Sequence, residues 1–541
     1  MERLYITINF IFSLICAPIL AIIGIKMTIH HLQMFQQNSY RIKRYEKYYR
    51  ENNKRYFINE LILIAGIVFT LLGVILSYNY NETILYISLI LKIIITAILV
   101  LWASIVYLKP KKSIIPIKYT WRVKRLFLTL LLLNFLLFYI GLNSPVFIKY
   151  ITILLILVGA TPYLMILASL INTPLEKYIA NTFVKDAKRM LLSHKNLIVI
   201  GITGSYGKTS MKNYLTKLLS VKYETLMTPE SYNTPMGVVR TIRESLKGTT
   251  EIFVCEMGAK EKNNIKEICD IVNPDHGIIT AIGPQHLETF KTIETVISTK
   301  FELVDAIDDG ILLLNGDNEY ILKNLPKKNH LLYSVNESSN YRPYDVTLSA
   351  KGTTFTLETE REKCVFTTKL IGEHNLLNIV GAIMMCNKLG ISLEDLKSQV
   401  AKIEPVPHRL EIKKGEKITI IDDAFNSNPQ GAKAALNTLS YFEGQKILIS
   451  PGMVELGTLQ EEANYQFAKE STKVCDYIIL VGERQTKPMQ KALIDESFPK
   501  SNYYVAKSFI EAMEYAKTIP CEENIHKYIL IENDLPDNYL K

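Results

Sequence analysis

"IVIGITGSYGKTSMKNYL", residues 198–215, passes from an apolar stretch through three glycines to Lys208, Thr209 and Ser210 and then into a helical pattern. Leu197–Ile200 reads as a short buried strand, and Met211, Tyr214, Leu215, Leu218 and Leu219 fall at helical spacing. A glycine-rich turn between strand and helix aims backbone N–H groups and a positive helix end at an anion. Lys208 would reach terminal phosphates and Thr209 would hold Mg²⁺. The pattern G-x-x-x-x-G-K-[ST] is not met at its first position, Ile202; the glycines stand instead at Gly201, Gly204 and Gly207. A dinucleotide turn is the rival reading, but it has no use for Gly-Lys-Thr. The expected ligand is ATP, cradled by Gly204, Ser205, Gly207, Lys208, Thr209 and Ser210.

The residues before this loop are of another kind. Apolar runs cover Leu4–Ile25, Leu61–Tyr78, Ile84–Tyr107, Leu126–Leu142 and Tyr150–Ile171. Each approaches the roughly 20 residues that cross about 30 Å of hydrocarbon as a helix. Buried helices of a soluble core, or a signal peptide for the first run, are the bland alternatives; five runs in succession, without an A-x-A-like cleavage site, argue against both. The expected organisation is a transmembrane helical domain of about five helices over residues 1–175, then an α/β part. A polar helical linker, "INTPLEKYIANTFVKDAKRMLLSHKN", joins them.

Charge orients the spans. Arg41, Lys43, Arg44, Lys47, Arg50, Lys54 and Arg55 lie in one loop, and seven further Lys/Arg lie between Leu108 and Arg125. The alternate connections, "NYNET" and "NSPVFIK", carry only Lys149. Positive loops stay in the cytoplasm, which puts the N-terminus outside and the α/β part inside. Much of the net charge of +9 is thereby topology and attraction to anionic lipid, and nucleic acid is not an expected partner. Lys92, inside the third run, is a pathway residue only if an intramembrane acid pairs with it, and none stands in the spans. Seven scattered cysteines without a C-x-x-C pair fit reduced thiols.

Further motifs follow in order over residues 176–541: "SYNTPMGVVRTI" (231–242), "EIFVCEMGAK" ending its strand at Glu256, "GIITAIGPQHLETF" with His286, "TKFELVDAI" with Lys300, "GEHNLLNIVGA" with Asn375 and Asn378, "PHRLEI" with Arg409, "IIDDAFNSNP" with Asp423, and "GMVELG". Loop and motifs together resemble the Mur ligases, which join an amino acid or peptide to a carboxylate using ATP. The resemblance is nearest to the type that adds D-alanyl-D-alanine to a muramyl tripeptide. It implies a central P-loop ATPase domain over 176–404 and a Rossmann-like C-terminal domain over 405–541. It also implies catalytic roles for Lys208, His286 and Lys300; Mg²⁺ held by Thr209, Glu256 and His286; nucleotide contacts from Asn375, Asn378, Arg409 and Asp423; and substrate contacts from Asn233 and Thr234. Lys300 corresponds to a lysine carbamylated in several members.

Each residue also has a plainer reading. Glu256 and His286 follow apolar strands, at the sheet edge where α/β proteins bind ligands, but could be a capping acid and a surface histidine. Lys300 could be an ordinary surface lysine, Asn375 a helix N-cap, Asp423 a turn acid and Arg409 half of a surface ion pair.

The implied reaction moves the γ-phosphoryl of ATP onto a carboxylate, and an amine displaces phosphate from the acyl phosphate. Closure of the two ligase domains would exclude water from that intermediate. Two departures bear on substrates. Membrane helices stand where soluble members carry a UDP-sugar-binding domain. "KYILIENDLPDNYLK" has Glu532, Asn533 and Asp534 where peptide-ligating members have a Lys-Gly-Ser-Arg-like loop. The expectation is a carboxylate at the cytoplasmic face of a bacterial plasma membrane, on a lipid-linked precursor or acidic polymer, with other envelope-synthesis proteins among the partners. The conservative alternative is the muramyl tripeptide reaction itself. A degenerate ATP-binding scaffold and an ATP-driven transporter are the remaining readings; intact site residues weigh against the first, and the lack of a second nucleotide-binding half against the second.

Overall fold

The structure is a computed structural model that describes residues 2–534 except 52, 79–81, 109–115, 143–149, 231, 337–338, 340 and 426. Lys149, most of both lightly charged connections and Ser231 therefore lie outside the described residues. The chain divides into two compact units, one ending at Ile179 and the other spanning Ala180–Asp534.

The first unit is helical: α1 (Glu2–Gln37), α2 (Ile42–Glu51), α3 (Asn53–Tyr78), α4 (Glu82–Tyr107), α5 (Trp121–Leu142), α6 (Tyr150–Gly159) and the start of α7 (Thr161–Ser193). Among the described residues four stretches are long and apolar enough to cross a membrane: Phe10–Gln37, Arg55–Leu72, Tyr86–Tyr107 and Trp121–Ile140. The fifth expected run is not one straight helix. It breaks at Ala160, where α6 and α7 meet with a 62° bend, so it counts as a span only if the bent pair is taken together. Pro162, which has no N–H to give the carbonyl four residues back, stands at that restart. The expected linker is also no separate piece, since α7 runs without interruption through its residues.

Only 17% to 33% of the four apolar windows is buried within the protein, and Leu14, Leu101 and Phe135 are each more than 60% exposed. An outer surface of this kind suits hydrocarbon rather than water. The basic loop read between Met27 and Tyr56 is largely helical. In α2, Tyr45 and Tyr49 turn inward while Lys43, Lys47 and Arg50 face out. α3 and α6 pack backbone to backbone: a Cβ added at Gly159 would fall 2.6 Å from the Leu63 nitrogen. Small residues permit such approach between helices.

The second unit holds three sheets among the described residues. Strands β1 (Ile198–Thr203), β2 (Thr225–Met227), β3 (Ile252–Glu256), β4 (His276–Ile279), β5 (Leu312–Asn315) and β6 (Leu331–Tyr333) form a parallel sheet in the order β2-β3-β1-β4-β5-β6. Alternation along the strands loads both faces. Ile200, Ile202 and Val254 enter one core, and Val199, Phe253 and Cys255 enter the other. β7 (Tyr344–Ser349), β8 (Gly352–Glu358) and β9 (Lys363–Thr368) make an antiparallel sheet beside the first core. β10 (Glu411–Lys413), β11 (Ile418–Asp423), β12 (Gln445–Ser450), β13 (Tyr477–Val481), β14 (Tyr503–Ala506) and β15 (Lys527–Glu532) form the last sheet, ordered β10-β11-β15-β12-β13-β14. Only the β10–β11 pairing in it is antiparallel. The first sheet reverses its strand order at β1, so its ligand crevice opens where β1 ends.

Candidate active site

β1 ends at Thr203, and the helix after the glycine turn, α8 (Lys208–Leu219), starts at Lys208. Gly204 is held at φ 151°, where a Cβ would lie 2.2 Å from Thr280 Oγ1, so the turn admits no side chain there. Gly207 caps α8 at φ 78° and offers no side-chain acceptor. The N–H groups of the first turn of α8 are thus aimed at the crevice without a side-chain cap, the arrangement that binds phosphate. Ser205 braces the turn, its Oγ donating to Gly283 O at 3.0 Å. Lys208 Nζ donates to Gly204 O at 2.7 Å and Ser205 O at 3.2 Å. Burial first, and then Arg409, lower the Lys208 pKa to about 8 against the pull of Glu256.

Glu256, 1% exposed at the end of β3, draws in two other predicted residues, Thr209 and Asn233. Its Oε1 accepts from Thr209 Oγ1 at 3.3 Å and from Asn233 Nδ2 at 2.9 Å. Its Oε2 pairs with Lys212 Nζ at 3.1 Å. Burial opposes its charge, yet Lys212 and Lys208 hold its carboxyl below the usual range. Hydroxyl and carboxylate so placed are the hard oxygen ligands that Mg²⁺ takes, and the pair fits that ion. Lys300 is not a surface lysine. It is 2% exposed and feels the charges of Lys208 and Glu256. Burial first, and then Lys208, push its pKa well below the ordinary lysine value. His286 pairs through Nδ1 with Glu455, and burial lowers its pKa despite that carboxylate. Among the described residues no hydrogen bond joins His286 to Glu256 or Thr209; Lys300 is the group that both His286 and Glu256 sense. Thr234 already has a structural task, its Oγ1 capping the helix Pro235–Ser245 by accepting from Gly237 N at 3.3 Å.

A cleft of about 300 Å³ opens beside the loop, lined by Gly207 from the glycine turn and Ser210 from α8, Asn375 and Asn378 from the helix Glu373–Lys388, Arg409, and Asp423 from β11. Asn375 is no N-cap. The helix begins two residues earlier behind Gly372, and Asn375 Oδ1 accepts from Tyr214 OH at 2.8 Å, tying that helix to α8. Asp423 is the last residue of β11 rather than part of a turn. Arg409, whose plainer reading is half of a surface ion pair, is half-buried and lies 4.5 Å from the Phe425 ring centre.

Four participants were not singled out from sequence. Lys212 stands one helical turn beyond Lys208 on the buried side of α8, a placement that could have flagged it. Glu455 lay within a quoted motif, but its pairing with His286 spans 169 residues. Asn315, the last residue of β5, and Asn318 just beyond it line the cleft, where the end-of-strand rule that found Glu256 would also have found them.

A parallel sheet with a glycine turn feeding Gly-Lys-Thr into a helix start defines a P-loop nucleotide-binding α/β protein. Family models place the Mur ligase middle domain on residues 202–386 and the Mur ligase glutamate ligase domain on residues 408–528. The chain belongs to the Mur ligase family. It is 32% identical to the UDP-N-acetylmuramoyl-tripeptide–D-alanyl-D-alanine ligase of Bacillus subtilis (strain 168) over 284 residues, 52% of this chain and 61% of that protein. To the enzyme of the same name from Escherichia coli (strain K12) it is 27% identical, over 59% of this chain and 73% of that one. The chain thus spans about six tenths of the length of the Bacillus relative. In fold it is similar to MurF from Acinetobacter baumannii (TM-score 0.59, 23% identity, 65% of this chain and 77% of that). It is likewise similar to MurF ligase from Thermotoga maritima in complex with ADP (TM-score 0.58, 24% identity, 66% of this chain and 80% of that).

Proposed function

We propose that the protein is a membrane-anchored, ATP-dependent, ADP-forming ligase that makes an amide bond in bacterial envelope synthesis. The observation that carries this reading is the convergence of Lys208, Thr209, Glu256 and Lys300 around a loop whose Gly207 and Ser210 line a cleft with Arg409 and Asp423. In this reading the cleft takes ATP, whose phosphates meet the α8 N-terminus and Lys208. Thr209 and Glu256 hold Mg²⁺, which when bound neutralises charge on the transferring phosphoryl group. The acceptor carboxylate attacks the γ-phosphorus, the bond to the β-phosphate oxygen breaks, and ADP leaves. The amine then adds to the acyl carbon and expels inorganic phosphate, losing its extra proton to solvent.

Burial and the Lys208 charge favour the neutral amine of Lys300, the form that would add CO₂ to give a carbamate and a proton, and His286 feels the Lys300 charge. Asn233 touches Glu256 and so sits where the acceptor would arrive. The apolar outer surface of the first unit supports an acceptor carried by the membrane, lipid-linked or polymeric, with the ligase part on the cytoplasmic side. The names of the relatives support a second reading, addition of D-alanyl-D-alanine to the muramyl tripeptide.

The test supplies solubilised full-length protein with ATP, amines and either membrane-lipid extract or UDP-linked acceptor. ADP and phosphate release that needs both an amine and an acceptor is expected, and Lys208→Ala should abolish it. Release of AMP, or turnover indifferent to acceptor, would sink the acyl-phosphate reading. Full activity on the UDP-linked acceptor would favour the second reading.

A further inference from the structure

Arg409 reaches the cleft from a turn with an unusual backbone. The residues on either side, His408 (φ 59°) and Leu410 (φ 50°), both adopt the left-handed conformation, which side chains other than glycine, and leucine above all, rarely take. Such a turn persists only where its surroundings over-determine it. Two successive acids of β11 do so from opposite faces of the strand. Asp423, on the cleft side, accepts from Leu410 N through Oδ1 at 3.2 Å. Asp422, on the other side, bonds His408 Nδ1 through Oδ2 at 2.8 Å and takes Lys413 Nζ on the same oxygen at 2.6 Å. Glu411 completes the outer cluster: its Oε2 accepts from His408 N at 3.2 Å and lies 3.2 Å from Lys413 Nζ. The Phe425 N–H closes the turn on His408 O at 3.4 Å.

His408, Glu411 and Asp422 are near enough to share a cation. The Lys413 ammonium, within 3.2 Å of both carboxylates, is that cation, so the cluster is an internal ion network rather than a metal centre. Asp422 is 7% exposed and its carboxyl stays below the usual range: burial opposes its charge, but Lys413 and His408 outweigh it.

We propose that Asp422, gripped by His408 and Lys413, is a positioning residue that latches the His408–Leu410 turn and thereby aims Arg409 at the nucleotide. The proposal rests on the nucleotide reading of the cleft. It gives the outer cluster an effect on ligand binding although none of Asp422, His408 or Lys413 lines the cleft.

The experiment measures ADP binding to full-length protein in detergent by calorimetry, in wild type, Asp422→Asn, Asp422→Glu, Lys413→Gln, Arg409→Ala and the double variant Asp422→Asn/Arg409→Ala. Asp422→Asn should weaken ADP about tenfold, as expected for a lost hydrogen bond to a charged group. Lys413→Gln should do so more mildly, and Asp422→Glu should restore part of the loss. In the Arg409→Ala background, Asp422→Asn should cost nothing further, because its effect passes through Arg409. Equal losses with and without Arg409, or unchanged affinity in both Asp422→Asn and Lys413→Gln, would overturn the latch. Wild-type protein that binds no ADP would instead remove the nucleotide reading beneath it.

Discussion

Asp423 and Glu532 are register partners on adjacent parallel strands, Glu532 buried and Asp423 half-buried at the cleft, with Arg409 near both. Ser427 Oγ donates to Glu532 Oε1 at 2.6 Å. Burial first, and then the Asp423 charge, push Glu532 well above the carboxylate range; burial raises Asp423 to about 6. Both shifts favour keeping a proton in the folded chain above pH 4, where the unfolded chain would release it. An acid whose folded pKa is raised binds more protons folded than unfolded across that window. Its contribution to stability therefore falls as pH rises from about 4 through 6 and beyond. Glu532→Gln keeps the acceptor for Ser427 and removes one of the ionising groups. The variant should melt higher than wild type at pH 8, by on the order of 1–2 kcal/mol, and the gain should shrink at pH 5. Thermal unfolding at the two pH values checks this. Single residues were legible in the sequence where their chemistry is local: Lys208 and Thr209 sit in one turn, and Glu256 ends its own strand. Lys212 and Glu455 were not, because the partner that gives each its meaning is distant in the chain.

At the scale of elements, hydropathy located the apolar helices but not their bends. Residues 150–171 read as one run because a break costs no apolar character, and only Pro162 marks it. Neither does hydropathy reveal which helices touch. The approach of α3 to α6 depends on Gly159, where a Cβ would meet backbone, whereas one at Gly24 would meet only a Val158 methyl at 3.4 Å. Gly159→Ala should destabilise the helical unit by about 1–3 kcal/mol, in the range of overpacking, while Gly24→Ala should be nearly neutral. Melting of the detergent-solubilised variants, side by side, distinguishes them. The α/β elements were easier to foresee, since alternating β-branched strands end in residues whose types betray the crevice. The latch was invisible for the opposite reason: "PHRLEI" shows neither the left-handed turn nor the reach of His408 to Asp422.

For the whole molecule, the two units have separate cores, with those of the second drawn from Ala187 onward. Removing residues 1–175 should leave a soluble protein that still binds ADP, and should abolish sedimentation with membranes and turnover on lipid extract. Fractionation and calorimetry on the truncated chain test both halves of that expectation. One contact inside the second unit reaches further than its size suggests. Lys212 rides on the helix whose first turn would take phosphate, and its ammonium also donates to Glu230 O at 2.6 Å, three residues ahead of Asn233. Whatever shifts the start of that helix pulls on the segment that, in the proposed reaction, would meet the acceptor. The two substrates would then not be strangers arriving in either sequence: the nucleotide would set the table, and the carboxylate would be seated second.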